Sequence, residues 1–150
     1  MPNDSRHIAH AQHNIEFLES FYKSYNFNDW SVTVSFYIAV HIIEAIIFST
    51  KRVNIGGESY LLEHSDQLLN LPEPTAGKVT NYHGARNLIV GQNFSAIAGW
   101  FKILYNESRT ARYRNYFFEN WRIDAIILFS LREIVKWYNN AYPIKVRVGF

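Results

Sequence analysis

Two titratable side chains, His41 and Glu44, sit inside the most apolar stretch of the chain, Trp30 to Thr50. At three positions apart they share one face of a helix, one turn from each other, and that face also carries Trp30, Val34, Tyr37 and Phe48. An imidazole can act as acid or base near neutral pH, and a neighbouring carboxylate can fix its tautomer. Unpaired charge in an apolar interior is costly, so both residues need partners. A second polar group lies later in the chain: Tyr105, Ser108, Arg109 and Arg112 continue a stripe that begins as Ile97, Phe101 and Leu104. Arg109 or Arg112 would hold a phosphate as a bidentate donor, and Tyr37 or Tyr105 would stack on a base or donate a hydrogen bond. The same residues can form a ligand-free core network, in which Glu44 pairs with an Arg and His41 with a tyrosine hydroxyl. Spacing leaves both readings open.

Positioning these groups is a matter of helices. The spacing predicts a first helix from Asp4 or Ser5 to about Tyr25, with Ile8, Ala11, Ile15, Leu18, Tyr22 and Tyr25 as its core stripe and Arg6, His10, His13 and Phe17 opposite. Asp29 is the expected cap of the second helix, which is apolar on every side and so reads as surrounded by protein. Its apolar run, broken by His41 and Glu44, suits a core helix better than a membrane span. Gly56 and Gly57 predict a loop, Tyr60 to about Asn70 a short third helix, and Leu71 to Gly77 an irregular stretch around its two prolines. A further helix is expected between Lys78 and Val90, then one from Asn93–Ser95 to about Arg114, a break over 115–120, and a last one from about Trp121 to Asn139. Few segments alternate. The class is all-α: a compact up-and-down bundle of about five helices in a single domain over 1–150.

Composition narrows the chemistry further. The 150 residues contain no cysteine, which removes disulfides, thiolate nucleophiles and zinc–thiolate sites and fits a reducing, cytoplasmic setting. The N-terminal residues lack the apolar core of a signal peptide. Net charge is only +2, but Lys102–Arg122 carries five basic residues against two acidic ones, whereas Met1–Trp30 carries two against four. The later segment could face an anionic partner or simply be a solvated helix face.

The run Asp29-Trp30…Phe36-Tyr37…His41…Glu44-Ala45, together with Tyr105…Ser108-Arg109…Arg112-Tyr113, resembles a prokaryotic branch of the HEPN (higher eukaryotes and prokaryotes nucleotide-binding) superfamily. The resemblance covers roughly Ile8 to Tyr138 and implies an antiparallel helical fold, often dimeric, that works on RNA or nucleotides in defence or toxin–antitoxin systems. It also implies that His64 joins His41 in the site. Many such proteins are metal-independent ribonucleases with an Arg, four to six residues, then a His. No histidine follows His83, so Arg109 and Arg112 cannot belong to that motif. The formal match Arg6…His13 lies on the first helix, away from the expected place, so ribonuclease activity does not carry over residue by residue. The alternative is a non-catalytic dimeric module that partners a toxin or nucleotidyltransferase.

Three weaker signals remain. His7, His10 and His13 recur every three residues but lack the His-Glu-x-x-His pattern, so a solvated histidine face is expected, with no metal and no cofactor. Gly84, in His83-Gly-Ala-Arg86, could let the backbone approach an anion. Tyr113-Arg-Asn-Tyr-Phe-Phe118 suits single-stranded nucleic acid, helix-end packing or a dimer contact equally.

Overall fold

The centre of the molecule is the second helix, and the other elements are arranged by how they cover it. In the computed structural model, which describes residues 3–71 and 79–150, the α-helices are α1 (Asp4–Phe21), α2 (Asn28–Thr50), α3 (Tyr82–Asn93), α4 (Ser95–Tyr113), α5 (Asn120–Arg122) and α6 (Phe129–Ala141). They pack up and down, as the periodicity predicts. On α2 the side chains of Phe36, Ile38, Ile42, Ile43, Ile46 and Ile47 are fully buried. At about 25 cal/mol per Å² of apolar surface removed from water, this helix makes the largest hydrophobic contribution to the fold. It is apolar and long enough to cross a membrane, yet 78% of its most apolar window is covered by the rest of the chain.

α1 lies along α2 through Ile8, Ala11, Ile15 and Leu18, the expected stripe. Its cap is Asn3, whose side chain accepts the Arg6 N–H at 3.0 Å, one or two positions before the caps predicted from sequence. It also ends earlier, because Tyr22–Ser24 tighten into a 3₁₀ turn and Tyr25 takes a left-handed conformation at φ 55°. α2 starts at Asn28 without a side-chain cap, so Asp29 does not serve as one. Asn28 instead reaches across the bundle and donates to the Phe118 carbonyl at 2.7 Å and to Asn120 Oδ1 at 3.0 Å. α4 and α6 close the other sides of α2. α5, a π-helical turn over Ile123–Leu128 and α6 run on as one rod.

The chain between α2 and α3 departs from expectation. The two glycines form the turn of an antiparallel hairpin, β1 (Arg52–Ile55) with β2 (Glu58–Leu61), pairing Val53 with Tyr60 and Ile55 with Glu58. Gly56 and Gly57 both have positive φ, 60° and 88°, as a tight two-residue hairpin turn requires. Val53 and Ile55 point into the core, and Asn93 of α3 clasps the Asn54 backbone at 2.7 and 2.9 Å. Tyr60 is therefore in a strand, and the expected third helix shrinks to a 3₁₀ turn over Ser65–Asn70. Most of the expected Leu71–Gly77 irregular stretch lies outside the described residues. α3 itself begins four residues later than predicted, capped by Asn81, and ends three later.

Candidate functional site

Glu44 sits on the α2 face that looks toward α1, the hairpin and α3. Its carboxylate, only 6% exposed, accepts the Ser65 N–H at 3.1 Å, the Ser65 hydroxyl, and the Arg86 Nε–H at 2.9 Å. Burial alone would push its pKa up, but Arg86 and the two Ser65 hydrogen bonds outweigh that and hold it below the usual value. The partner arginine is thus on α3, not on α4. The expectation that Arg109 or Arg112 would pair with Glu44 is corrected: α4 approaches α2 a turn or two earlier, near Phe36 and Tyr37.

Two more imidazoles meet His41, and a third lies beyond them. His7 comes from α1 and places its Nδ1 3.3 Å from His41 Nδ1, so one of the two rings donates and the other accepts. His10, a turn further along α1, meets the His41 ring edge-on at 5.0 Å between centroids. His64 lies 5.6 Å from His7, and its Nδ1 is 3.9 Å from Glu44 Oε2. Burial, then His7 and His10, press the pKa of His41 down to about 4, and burial also lowers that of His7. Both rings are therefore neutral at pH 7. His41 is fixed by His7 rather than by Glu44, and with so low a pKa it is not an imidazolium at neutral pH and is only a weak base.

His7, Val40, His41, Glu44, His64, Ser65, Asp66, Tyr82 and Arg86 line a cleft of about 310 Å³. His41 and Glu44 thus border a cavity open to solvent. The structure brings together His41, Glu44 and His64 as expected, and adds His7, Ser65 and Arg86. His7 is the clearest correction to the sequence reading: it is 7% exposed, not part of a solvated face, whereas His13 is exposed. The three-residue recurrence hid this, because His7 also falls beside the Ile8–Ala11 stripe and so points inward.

The remaining candidates form a second cluster. Arg112 donates to the Tyr37 hydroxyl at 3.1 Å and to the Ser108 carbonyl at 3.2 Å, and its guanidinium lies over the rings of Phe36, Tyr37 and Tyr113. Arg109 lies over Tyr105. Ser108 is fully buried and its hydroxyl bonds back to the Tyr105 carbonyl, so it faces the core and not a ligand. His83 stands between the clusters, against Phe36 and Tyr105. Its pKa is lowered by burial and then by the positive charges of Arg86, Arg112 and Arg109. Gly84 N–H is occupied by the Asn81 side chain at 2.8 Å and offers nothing to an anion.

The class defined by fold and site is a mostly helical bundle with a histidine-lined cleft on one side and an arginine–tyrosine face beside it. Comparison with family models, curated proteins and solved structures gave no match.

Proposed function

We propose that this chain is a HEPN-like RNA- or nucleotide-binding protein that takes phosphate on Arg109 and Arg112. One observation carries this reading: Arg109 and Arg112 lie over the aromatic rings of one face, Tyr105 for the first and Tyr37 and Tyr113 for the second, and among the described residues no carboxylate pairs with either. Arginines without a counterion, as Arg109 and Arg112 are among the described residues, raise the local potential, and an anion that settles there relieves it. Arg112 spends part of its donor fork on Tyr37 and Ser108, and the rest is free for phosphate oxygens. Tyr37 is 38% exposed and Tyr113 76%, which leaves aromatic faces beside Arg112 for bases to stack on.

Fluorescence anisotropy with a labelled single-stranded RNA tests this. Affinity should fall steeply with salt, with a slope of about 0.7 per neutralised phosphate on logarithmic axes. Arg109→Ala and Arg112→Ala should each weaken binding and flatten that slope. Affinity that is flat in salt, or unchanged in both variants, sinks the reading. Cleavage of the same RNA, lost in His41→Ala, would add catalysis to binding.

A second reading, a homodimer, is favoured by a separate face. Phe17, Phe27 and Trp30 are each more than half exposed and, with Phe21, line one apolar groove between α1 and α2. Large aromatics left in water mark interaction surfaces. Sedimentation of wild type beside Trp30→Lys tests it: a dimer that persists in the variant, or no dimer at all, removes this face from consideration.

A further inference from the structure

We propose that His7, Glu44 and His64 bind a divalent transition-metal ion of the zinc class. One donor atom from each of the three residues lies within 4.8 Å of the other two. Ligands at about 2.0–2.2 Å from a zinc ion stand somewhat closer together than that, so modest side-chain rotation would complete the set. The three come from different elements, α1, α2 and the segment before the 3₁₀ turn, and each is more than nine-tenths buried. This is not an acidic surface patch that happens to gather carboxylates.

The second observation is a pair of unpartnered nitrogens. Nε2 of His7 and Nε2 of His64 are buried and have no hydrogen-bond partner. A buried polar atom left alone is costly, and two such nitrogens, on residues whose donor atoms converge with Glu44, have a common remedy in a cation. His7 is already arranged as a ligand usually is. Its Nδ1 is engaged by His41 at 3.3 Å, which orients the ring and, when Nδ1 donates, leaves the Nε2 lone pair free. Glu44 is held the same way: Arg86 and the Ser65 hydroxyl donate to Oε1, and Oε2, which faces His64, accepts the Ser65 N–H and keeps a second lone pair.

Two groups compete with the ion, and both can yield. Arg86 repels a cation, but its bond goes to the carboxylate oxygen further from His64. The Gln67 N–H is capped by the His64 ring, yet the same N–H also reaches the His64 carbonyl at 3.2 Å. Keeping that second bond releases the ring, so that one of its nitrogens can carry the proton and the other bind the ion. Two imidazoles and one carboxylate make a three-ligand set of the kind that leaves a zinc ion one position for water or substrate. Here that position would face the cleft bordered by Asp66, Tyr82 and Arg86. The expectation that the chain holds no metal rested on the missing His-Glu-x-x-His pattern, and such a pattern describes one helix. These ligands converge from two helices and the segment before the 3₁₀ turn.

The test is a Co²⁺ titration of the full chain after treatment with a chelator, read by visible d–d absorption, with Zn²⁺ added in competition. One Co²⁺ per chain should bind, with the absorption of a low-coordinate site, and Zn²⁺ should displace it. His7→Gln and His64→Gln should each weaken binding at least tenfold, while His13→Gln, on the exposed face, should not. Far-UV circular dichroism checks that each variant folds, and Glu44→Asp serves as a further variant should either glutamine fail to. Absence of d–d absorption in the wild type overturns the proposal. So does unchanged affinity in folded His7→Gln and His64→Gln, or loss of binding in His13→Gln, which would move the ion to the surface histidines.

Discussion

Replacing Glu44 by Gln should unmask how much of the fold leans on one buried ion pair. The carboxylate is 6% exposed and accepts three hydrogen bonds, two from Ser65 and one from Arg86, whose own side chain is 12% exposed. A glutamine keeps the shape and one acceptor oxygen but removes the charge. Arg86 is then left nearly buried without a counterion, a situation that typically costs about 3–5 kcal/mol. Most of that cost belongs to the stranded charge, so Arg86→Met should cost a similar amount by stranding Glu44. The double variant, with neither charge, should be about as stable as either single one, giving a coupling about the size of one single loss, about 3–5 kcal/mol. Urea unfolding in the presence of a chelator, followed by circular dichroism, measures all four corners of the cycle. Losses that add to within about 0.5 kcal/mol would show that the two side chains act independently, and the clamp described above would be wrong.

Acid should destabilise the protein before its carboxylates titrate. The pKa of His41 falls from 6.5 to about 4 on folding, so the unfolded chain binds the proton more readily. Stability is then fully present above about pH 6.5 and declines as pH drops toward 4. The shift in full would be worth about 3.4 kcal/mol at 1.36 per unit, but the ring is only half-buried and solvent screening reduces this to about 1–2 kcal/mol. The lowered pKa of Glu44 acts in the same direction at lower pH. Urea midpoints at pH 7, 5.5 and 4.5 should fall in wild type and fall less in His41→Phe; equal slopes would refute the assignment. Gly57→Ala, at φ 88° with open space around it, should cost about 1 kcal/mol from backbone strain alone. Gly99→Ala, also in open space but inside α4, should instead stabilise by about 0.5–1 kcal/mol. Thermal melts of the two glycine variants should therefore move in opposite directions.

The helices were legible because their apolar residues recur with helical period, and Ile8, Ala11, Ile15 and Leu18 on α1 are buried where that period puts them. The hairpin was not, since Arg52–Ile55 and Glu58–Leu61 are four residues each, too short for alternation to stand out, although Gly56-Gly57 is the dipeptide such a turn favours. Within the site, His41, Glu44 and His64 could be named from sequence, but their company could not. Arg86 follows Glu44 by 42 positions and His7 precedes His41 by 34. No periodicity reaches across such distances. Helix α4 was the natural guess for the missing arginine because its stripe turns polar. The polar residue that does turn inward there, Ser108, bonds its own helix, and Arg112 goes to Tyr37.

Those same separations give the cleft a thermodynamic character. His7, His41 with Glu44, His64 with Ser65, and Arg86 sit on four stretches of chain that meet only when α1, α2, the 3₁₀ turn and α3 are docked together. Lifting α1 alone removes His7, and loosening α3 alone removes Arg86. An occupant of the cleft would therefore bind the assembled state and almost none of the partly opened ones. Its free energy would be added to the whole fold, by about 2.7 kcal/mol at a hundredfold excess over its dissociation constant. Heat, urea and amide exchange would all register it, even far away on α6. In this molecule occupancy and folding are one equilibrium seen from two ends.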